Sequence, residues 1–156
     1  MAKWDFKGLD TYISQLQKIE EMPLGPVVYE GAKVVADSVK AGLESIPVDN
    51  RRYVKDMRTS ITQVQKQGLI DGFGISMMQN RNGFVNVKLG FDGYNDFHTN
   101  AYPNGQPNLM VARALTSGTS FLPKNDIIQK SVSAVKKRCE EVMREHYDSL
   151  LNKEIE

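Results

Sequence analysis

The sequence predicts an α+β fold: an antiparallel β-sheet of three to four strands packed by two N-terminal helices and a long C-terminal helix. Three observations predict it. Apolar residues recur at three- and four-residue steps near the N-terminus. They alternate with polar residues in the middle of the chain. They return to helical spacing over a long final segment. Runs of one period followed by runs of the other, without regular strand–helix alternation, point to α+β rather than a parallel α/β sheet.

At the N-terminus Trp4 and Phe6 alternate with charged residues, a short extended lead-in. Leu9, Tyr12, Ile13, Leu16 and Ile19 then follow helical spacing, and Pro23 and Gly25 end that helix. Pro26 opens the next, because its fixed φ suits the first helical turn. Val28, Ala32, Val35, Ala36, Val39, Leu43 and Ile46 lie on one stripe, with Glu30, Lys33, Asp37, Lys40 and Glu44 opposite. Pro47 stops the helix, since it has no N–H to extend the ladder.

Residues 47–58 read as a polar, basic loop with room for one helical turn. A strand is expected over residues 59–66 and another over 72–79. The turn residues Asn80, Arg81, Asn82 and Gly83 lead into a third, in which Val85, Val87, Leu89 and Phe91 alternate with Asn86, Lys88 and Gly90. The middle is therefore an antiparallel meander. Residues 91–108, rich in Asn, Asp, Gly and Pro, form a long loop, and loops of that length are commonly functional or mobile.

Pro107 and Gly118 bracket a short helix over residues 108–117, with a strand as the competing reading. The last helix begins after Pro123 with Asn125 or Asp126 as N-cap. Ile128, Val132, Val135, Cys139 and Val142 form its apolar seam, extended by Met143, Leu150 and Leu151. From residue 126 to 153 it would run about 40 Å.

A chain of 156 residues with 40% hydrophobic and 25% charged composition fits one domain spanning residues 1–156, with no need of disulfides or metals to hold it. The formal net charge is +1, which lacks the basic excess of a protein built to grip phosphates. The lone Cys139 leaves no disulfide framework and suits a reducing compartment. The opening residues carry no apolar run fit for a signal peptide, and no segment is apolar enough to span a membrane.

Catalytic motifs fail on inspection. Gly72-Phe73-Gly74 lacks the third glycine of a dinucleotide loop, Met77 standing there. Gly74-Ile75-Ser76-Met77-Met78 lacks the closing glycine of a nucleophile elbow. Cys139 and His146 stand about 10 Å apart along a helix, too far to share a zinc ion. His98 with Asp92 and Asp96 lacks the calcium-loop ladder. No catalytic, cofactor or metal residue is assigned, and no cofactor is expected. The best charge cluster is Arg51, Arg52, Lys55 and Arg58, read as a solvated loop or as a contact with DNA phosphates or an acidic neighbouring subunit.

Several short elements carry a family resemblance. Gly8-Leu9-Asp10 begins the first helix and Glu30-Gly31-Ala32-Lys33-Val34-Val35-Ala36 lies in the second. Ile46-Pro47-Val48-Asp49 precedes Asp56-Met57-Arg58-Thr59-Ser60-Ile61. Leu115-Thr116-Ser117-Gly118-Thr119-Ser120 leads to Pro123 and the terminal helix. Their order, over nearly the whole chain, resembles the head–tail joining and tail-completion (neck) proteins of long-tailed double-stranded DNA phages and prophages. The sequence departs from that pattern where Asn50-Arg51 replaces Thr-Gly and where Thr116 and Ser117 replace a glutamate and an aromatic. The resemblance implies helices on an antiparallel sheet and a non-enzymatic, structural function. It implies rings, six-fold in the particle, that meet head-connector and tail proteins, with DNA only as passing cargo and no membrane. The implied location is the virion neck or tail, and the bacterial host cytoplasm during assembly.

On that reading Leu115, Thr116, Ser117, Gly118, Thr119, Phe121, Leu122 and Pro123 are expected to form an interface, with Phe121 and Leu122 exposed. The alternative is that both tuck under the last helix. Loops 51–58 and 91–108 are expected to order only when a neighbour docks. The second functional reading is a small nucleic-acid-binding module using the basic loop at 51–58.

Overall fold

The computed structural model describes residues 7–51 and 57–155, with residues 7–10 and 155 described by backbone alone. Among the described residues five helices and six short strands follow in the order α1 (Lys7–Glu20), α2 (Gly25–Ser45), α3 (Gln63–Gly72), β1 (Phe73–Ile75), β2 (Gln79–Arg81), β3 (Phe84–Asn86), β4 (Leu89–Phe91), β5 (Tyr94–Asn95), β6 (Gln106–Pro107), α4 (Asn108–Ser117) and α5 (Ile127–Ile155). The mixed helical and antiparallel character and the long last helix agree with the sequence.

Helix α2 is the wall on which the rest is built. Pro26 sits in its first turn. Ile46 takes an extended conformation (φ −66°, ψ 127°), as the residue before a proline must, and the helix ends there. Ala36, Val39, Leu43 and Ile46 enter a core with Ile61, Leu69, Phe73, Val111, Leu115 and Leu122.

On a second face α2 runs against α5. A methyl group at Gly31 would lie 2.5 Å from Met143 Cγ, and one at Gly42 would collide with Ser131 Oγ. The two helices therefore meet at distances only glycine permits. Ser38 Oγ donates to the Ser131 carbonyl at 2.9 Å, and the Cys139 thiol lies 3.3 Å from the Gly31 carbonyl as donor. Burial pushes that thiol pKa up, with Glu140 adding to the shift. The seam of α5 differs from the expected one at one point. Val132 is largely exposed and Ser131 is buried in its place, because Gly42 leaves a gap that fits only a small side chain.

The strand expected over residues 59–66 is absent. Its second half starts α3, through a capping box: Gln65 N donates to Thr62 Oγ1 at 3.2 Å and Thr62 N donates to Gln65 Oε1 at 3.0 Å. Two orphan donors are thus satisfied reciprocally, a gain available only to the helical geometry. Lys66 then reaches back to the C-terminal carbonyls of α2, Glu44 O at 2.6 Å and Ile46 O at 2.8 Å.

The expected single sheet is replaced by three two-stranded antiparallel pairs, β1–β4, β2–β3 and β5–β6. The first two form one long hairpin. Phe73 opposes Phe91 and Ile75 opposes Leu89, whereas Gln79 opposes Asn86 and Arg81 opposes Phe84. Met77 and Met78 therefore face Val87 alone, which is a β-bulge that breaks each predicted strand in two. At the tip Asn82 (φ 53°) and Gly83 (φ 84°) make the two-residue turn that matches strand twist. The hairpin's inner face packs on α2, with Met78 lying over Gly25 and Phe73 stacking at 4.9 Å on Phe91.

Residues 91–108 are folded in the lone chain, contrary to the expectation that they await a neighbour. Asn95 and Asn108, both buried, bridge β5 to α4: Asn95 Nδ2 lies 3.3 Å from Asn108 Oδ1, Asn108 Nδ2 donates to Asp92 O at 2.8 Å, and Phe97 N donates to Asn95 Oδ1 at 2.9 Å. Helix α3 comes close enough for this only because Gly68 and Gly72 face the two asparagines.

A methyl group at Gly72 would strike the Asp92 carbonyl and lie 2.5 Å from Asn108 Nδ2, whereas one at Gly74 would meet nothing within 4 Å. Gly72→Ala is therefore expected to lower the unfolding free energy by about 1–3 kcal/mol, and Gly74→Ala by less than about 0.5 kcal/mol. Urea unfolding of the two variants measures the difference.

Candidate docking surfaces

The segment expected to be an interface is a rigid turn that splits its apolar residues between inside and outside. Helix α4 ends at Gly118, whose φ of 74° suits glycine and whose N–H donates to Ala114 O at 2.9 Å. Thr119 then closes a tight turn. Its Oγ1 accepts from Phe121 N at 3.1 Å and Leu122 N at 3.0 Å, and its N–H donates to Leu122 O at 2.8 Å. Asn125 N donates to Leu115 O at 2.8 Å, and Asn125 Oδ1 accepts from Ile127 N at 3.0 Å at the start of α5.

Leu115 is 1% exposed and Leu122 9%, so both belong to the core, and the expectation of an exposed Leu122 fails. Phe121 is 75% exposed. The alternation is forced by the turn: with Leu122 locked inward, Phe121 must point out. Thr116 and Gly118 are half-buried, and Ser117, Thr119 and Pro123 are exposed.

The basic loop divides differently. Arg52 and Lys55 lie outside the described residues. Arg51 is engaged with Asp49, its Nε at 2.8 Å from Oδ1 and its Nη2 at 2.6 Å from Oδ2. Arg58 lies with its guanidinium carbon 5.6 Å from the centre of the Phe97 ring, and its backbone N–H donates to Phe121 O at 2.9 Å. The structure thus joins two candidates that are far apart in sequence. Arg58 and Phe121 border one cleft of about 580 Å³ between the 119–122 turn and α4, floored by Ile61, Met110 and Ala114.

Asp49 is the residue that sequence reasoning undervalued. Its carboxylate is buried and accepts from Arg51 N at 3.2 Å, Thr59 N at 2.9 Å and Thr59 Oγ1 at 3.2 Å, besides the Arg51 side chain. Its own N–H donates to Ile61 O at 2.8 Å. One side chain therefore pins both ends of the 50–58 excursion. Arg51 and the Thr59 N–H hold its pKa well below the usual carboxylate range. The only sequence signal was an aspartate after Pro-Val, which the family resemblance includes without explaining.

Two further clefts open along residues 92–100. One, about 730 Å³, is bordered by Asp71, Asp92 and Asp96 with exposed Val64 and Tyr94. The other includes His98, whose Nδ1 is 2.7 Å from Pro103 O, so that nitrogen carries the proton. Among the described residues no three His, Cys, Asp or Glu side chains gather as a metal cluster would require, and no helix is long and apolar enough to cross a membrane. Ser76 sits at the hairpin bulge, its Oγ accepting from Lys88 N at 2.9 Å.

No protein-family model matches this chain, and no curated protein or solved structure matches it.

Because the Asp49 pKa is depressed in the folded state, its contribution to stability is present above the unfolded value near 4 and is lost as pH falls below it. Asp49→Ala is expected to lower the urea midpoint at pH 7 and to flatten its decline between about pH 5 and pH 2. Urea titrations of the wild type and variant across that range compare the two slopes.

Proposed function

We propose that this chain is a non-enzymatic structural subunit of a phage or prophage head–tail connector or tail-completion ring, docking with copies of itself and with neighbouring head and tail proteins. The observation that carries the assembly reading is the surface the lone chain leaves uncovered.

The uncovered surface includes apolar side chains on three separate elements. Tyr12, Ile13 and Leu16 line α1, Met77 and Phe84 stand on the hairpin, and Phe121 caps the 119–122 turn. Exposed apolar groups on several faces suit a subunit with neighbours on several sides. The link to a phage neck rests on the sequence resemblance. Under it the near-neutral charge suits a ring that lets DNA pass without holding it.

Phe121 is the side chain to test, since its backbone is fixed and its ring is free. Phe121→Asp is expected to weaken self-association or binding to tail-tube or connector protein at least ~10-fold while leaving the urea midpoint unchanged. Leu122→Ala is expected instead to destabilise the fold by about 2–4 kcal/mol. Sedimentation velocity over a concentration series, alone and with connector or tail-tube protein, reads the association. Absence of any assembly under all these conditions would refute the reading.

A further inference from the structure

The β1–β4 hairpin carries an outer face that none of the described residues covers. Its inner residues, Phe73, Ile75, Leu89 and Phe91, pack toward α2 and the core. Strand alternation places Gly74, Gly90, Lys88, Arg81 and Phe84 on the opposite face. Gly74 and Gly90 are directly paired there, and neither needs to be glycine for the fold. Their φ angles are not positive, and a methyl group on either would meet nothing within 4 Å. Glycine inside a strand weakens it, and it recurs where another backbone or a ligand approaches closely. A bare glycine pair facing open space leaves room for something from outside the chain to lie flat against the ribbon.

The chemistry of the face narrows what that is. Residues 73–91 contain Arg81 and Lys88 and no acidic residue. Neither forms an ion pair among the described residues, and next to them Phe84 is 77% and Met77 90% exposed. The fitting partner surface is acidic and has apolar groups at its edge.

The chain itself carries such a surface. The 730 Å³ cleft at the hairpin base is bordered by Asp71, Asp92 and Asp96, has no basic residue among the described residues, and exposes Val64 (42%) and Tyr94 (70%). The hairpin cannot bend into its own cleft. Gly72 and Asp92, at the roots of its two strands, border that cleft, and eight residue steps at about 3.3 Å carry the tip roughly 25 Å away along a ribbon backed by α2.

We propose that the outer face of the hairpin of one copy docks into the acidic cleft of the next, Arg81 and Lys88 facing Asp71, Asp92 and Asp96, and Phe84 meeting Val64 and Tyr94. This deepens, and rests on, the assembly reading above. The contact is heterologous: each subunit offers one hairpin and one cleft, which generates a ring when the rotation closes. Two cations are few for a DNA-gripping ribbon, and exposed Phe84 and Met77 favour a protein surface.

The test uses three full-length chains: the wild type, a hairpin-reversed R81E/K88E variant and a cleft-reversed D71K/D96K variant. All four positions are exposed, so circular dichroism and urea midpoints are expected to match the wild type. Under the condition in which the wild type assembles, each variant alone is expected to associate at least ~10-fold more weakly, since like charges then face each other. An equimolar mixture of the two is expected to recover assembly, because each reversed hairpin meets a reversed cleft and each native hairpin a native one. If both variants assemble alone as the wild type does, the docking is overturned and the ring reading survives. If the wild type never associates, the ring reading fails and takes the docking with it. If R81E/K88E loses only binding to a duplex DNA of 30 base pairs at low salt and assembles normally, the face belongs to DNA and the proposal is wrong.

Discussion

The close contact between α2 and α5 is the constraint on which the rest of the structure depends. Gly31 and Gly42 remove the side chains that would hold the helices apart, and Ser131, Cys139 and Met143 fill the space they vacate. Since α5 is thereby drawn onto one face of α2, the remaining faces are free for the hairpin and the core. Ala36, Val39 and Leu43 turn toward Leu69, Val111 and Leu115, while Gly25 accepts Met78 at the other end. One helix of 21 residues thus organises three partners, and its small residues are placed where each partner comes nearest.

A second constraint acts in the loops. Buried polar side chains here act as clamps. Asp49 gathers the ends of the 50–58 excursion, Asn95 and Asn108 tie α4 to β5, and Thr119 closes the turn before α5. Each leaves neighbouring side chains with only one direction to take. That is how a polar segment can present Phe121 outward and Leu122 inward from adjacent positions. Such a surface is pre-organised, so a docking partner need not supply the ordering that a flexible loop would require.

Much of the architecture was legible because periodicity reports burial. The stripe of α2, the bracketing of α4 by Pro107 and Gly118 and the length of α5 all followed from residue spacing. The Asn82-Gly83 turn was readable from its dipeptide. The start of α3 was misread although its signal was present: Thr62 and Gln65 form a capping box, but the β-branched residues Thr59, Ile61, Thr62 and Val64 imitated a strand. The bulge at Met77 and Met78 left no clear mark, because the extra residue shifts the in/out alternation just where the strand turns uniformly polar, at Gln79, Asn80 and Arg81, so no apolar period is there to show the shift. In the candidate surfaces, Phe121 and Arg58 were picked out separately, and their hydrogen-bonded adjacency could not be.

The sequence by itself determined the helices α1, α2 and α5, where the chain turns and that its charge is nearly balanced, because propensity, proline and glycine chemistry and apolar period are local quantities. Only the tertiary structure decided which side of a turn faces out, which glycines admit a neighbouring helix and which lie bare, and which distant loops share a surface. Those outcomes depend on distances between atoms remote in the chain, and no local pattern encodes them.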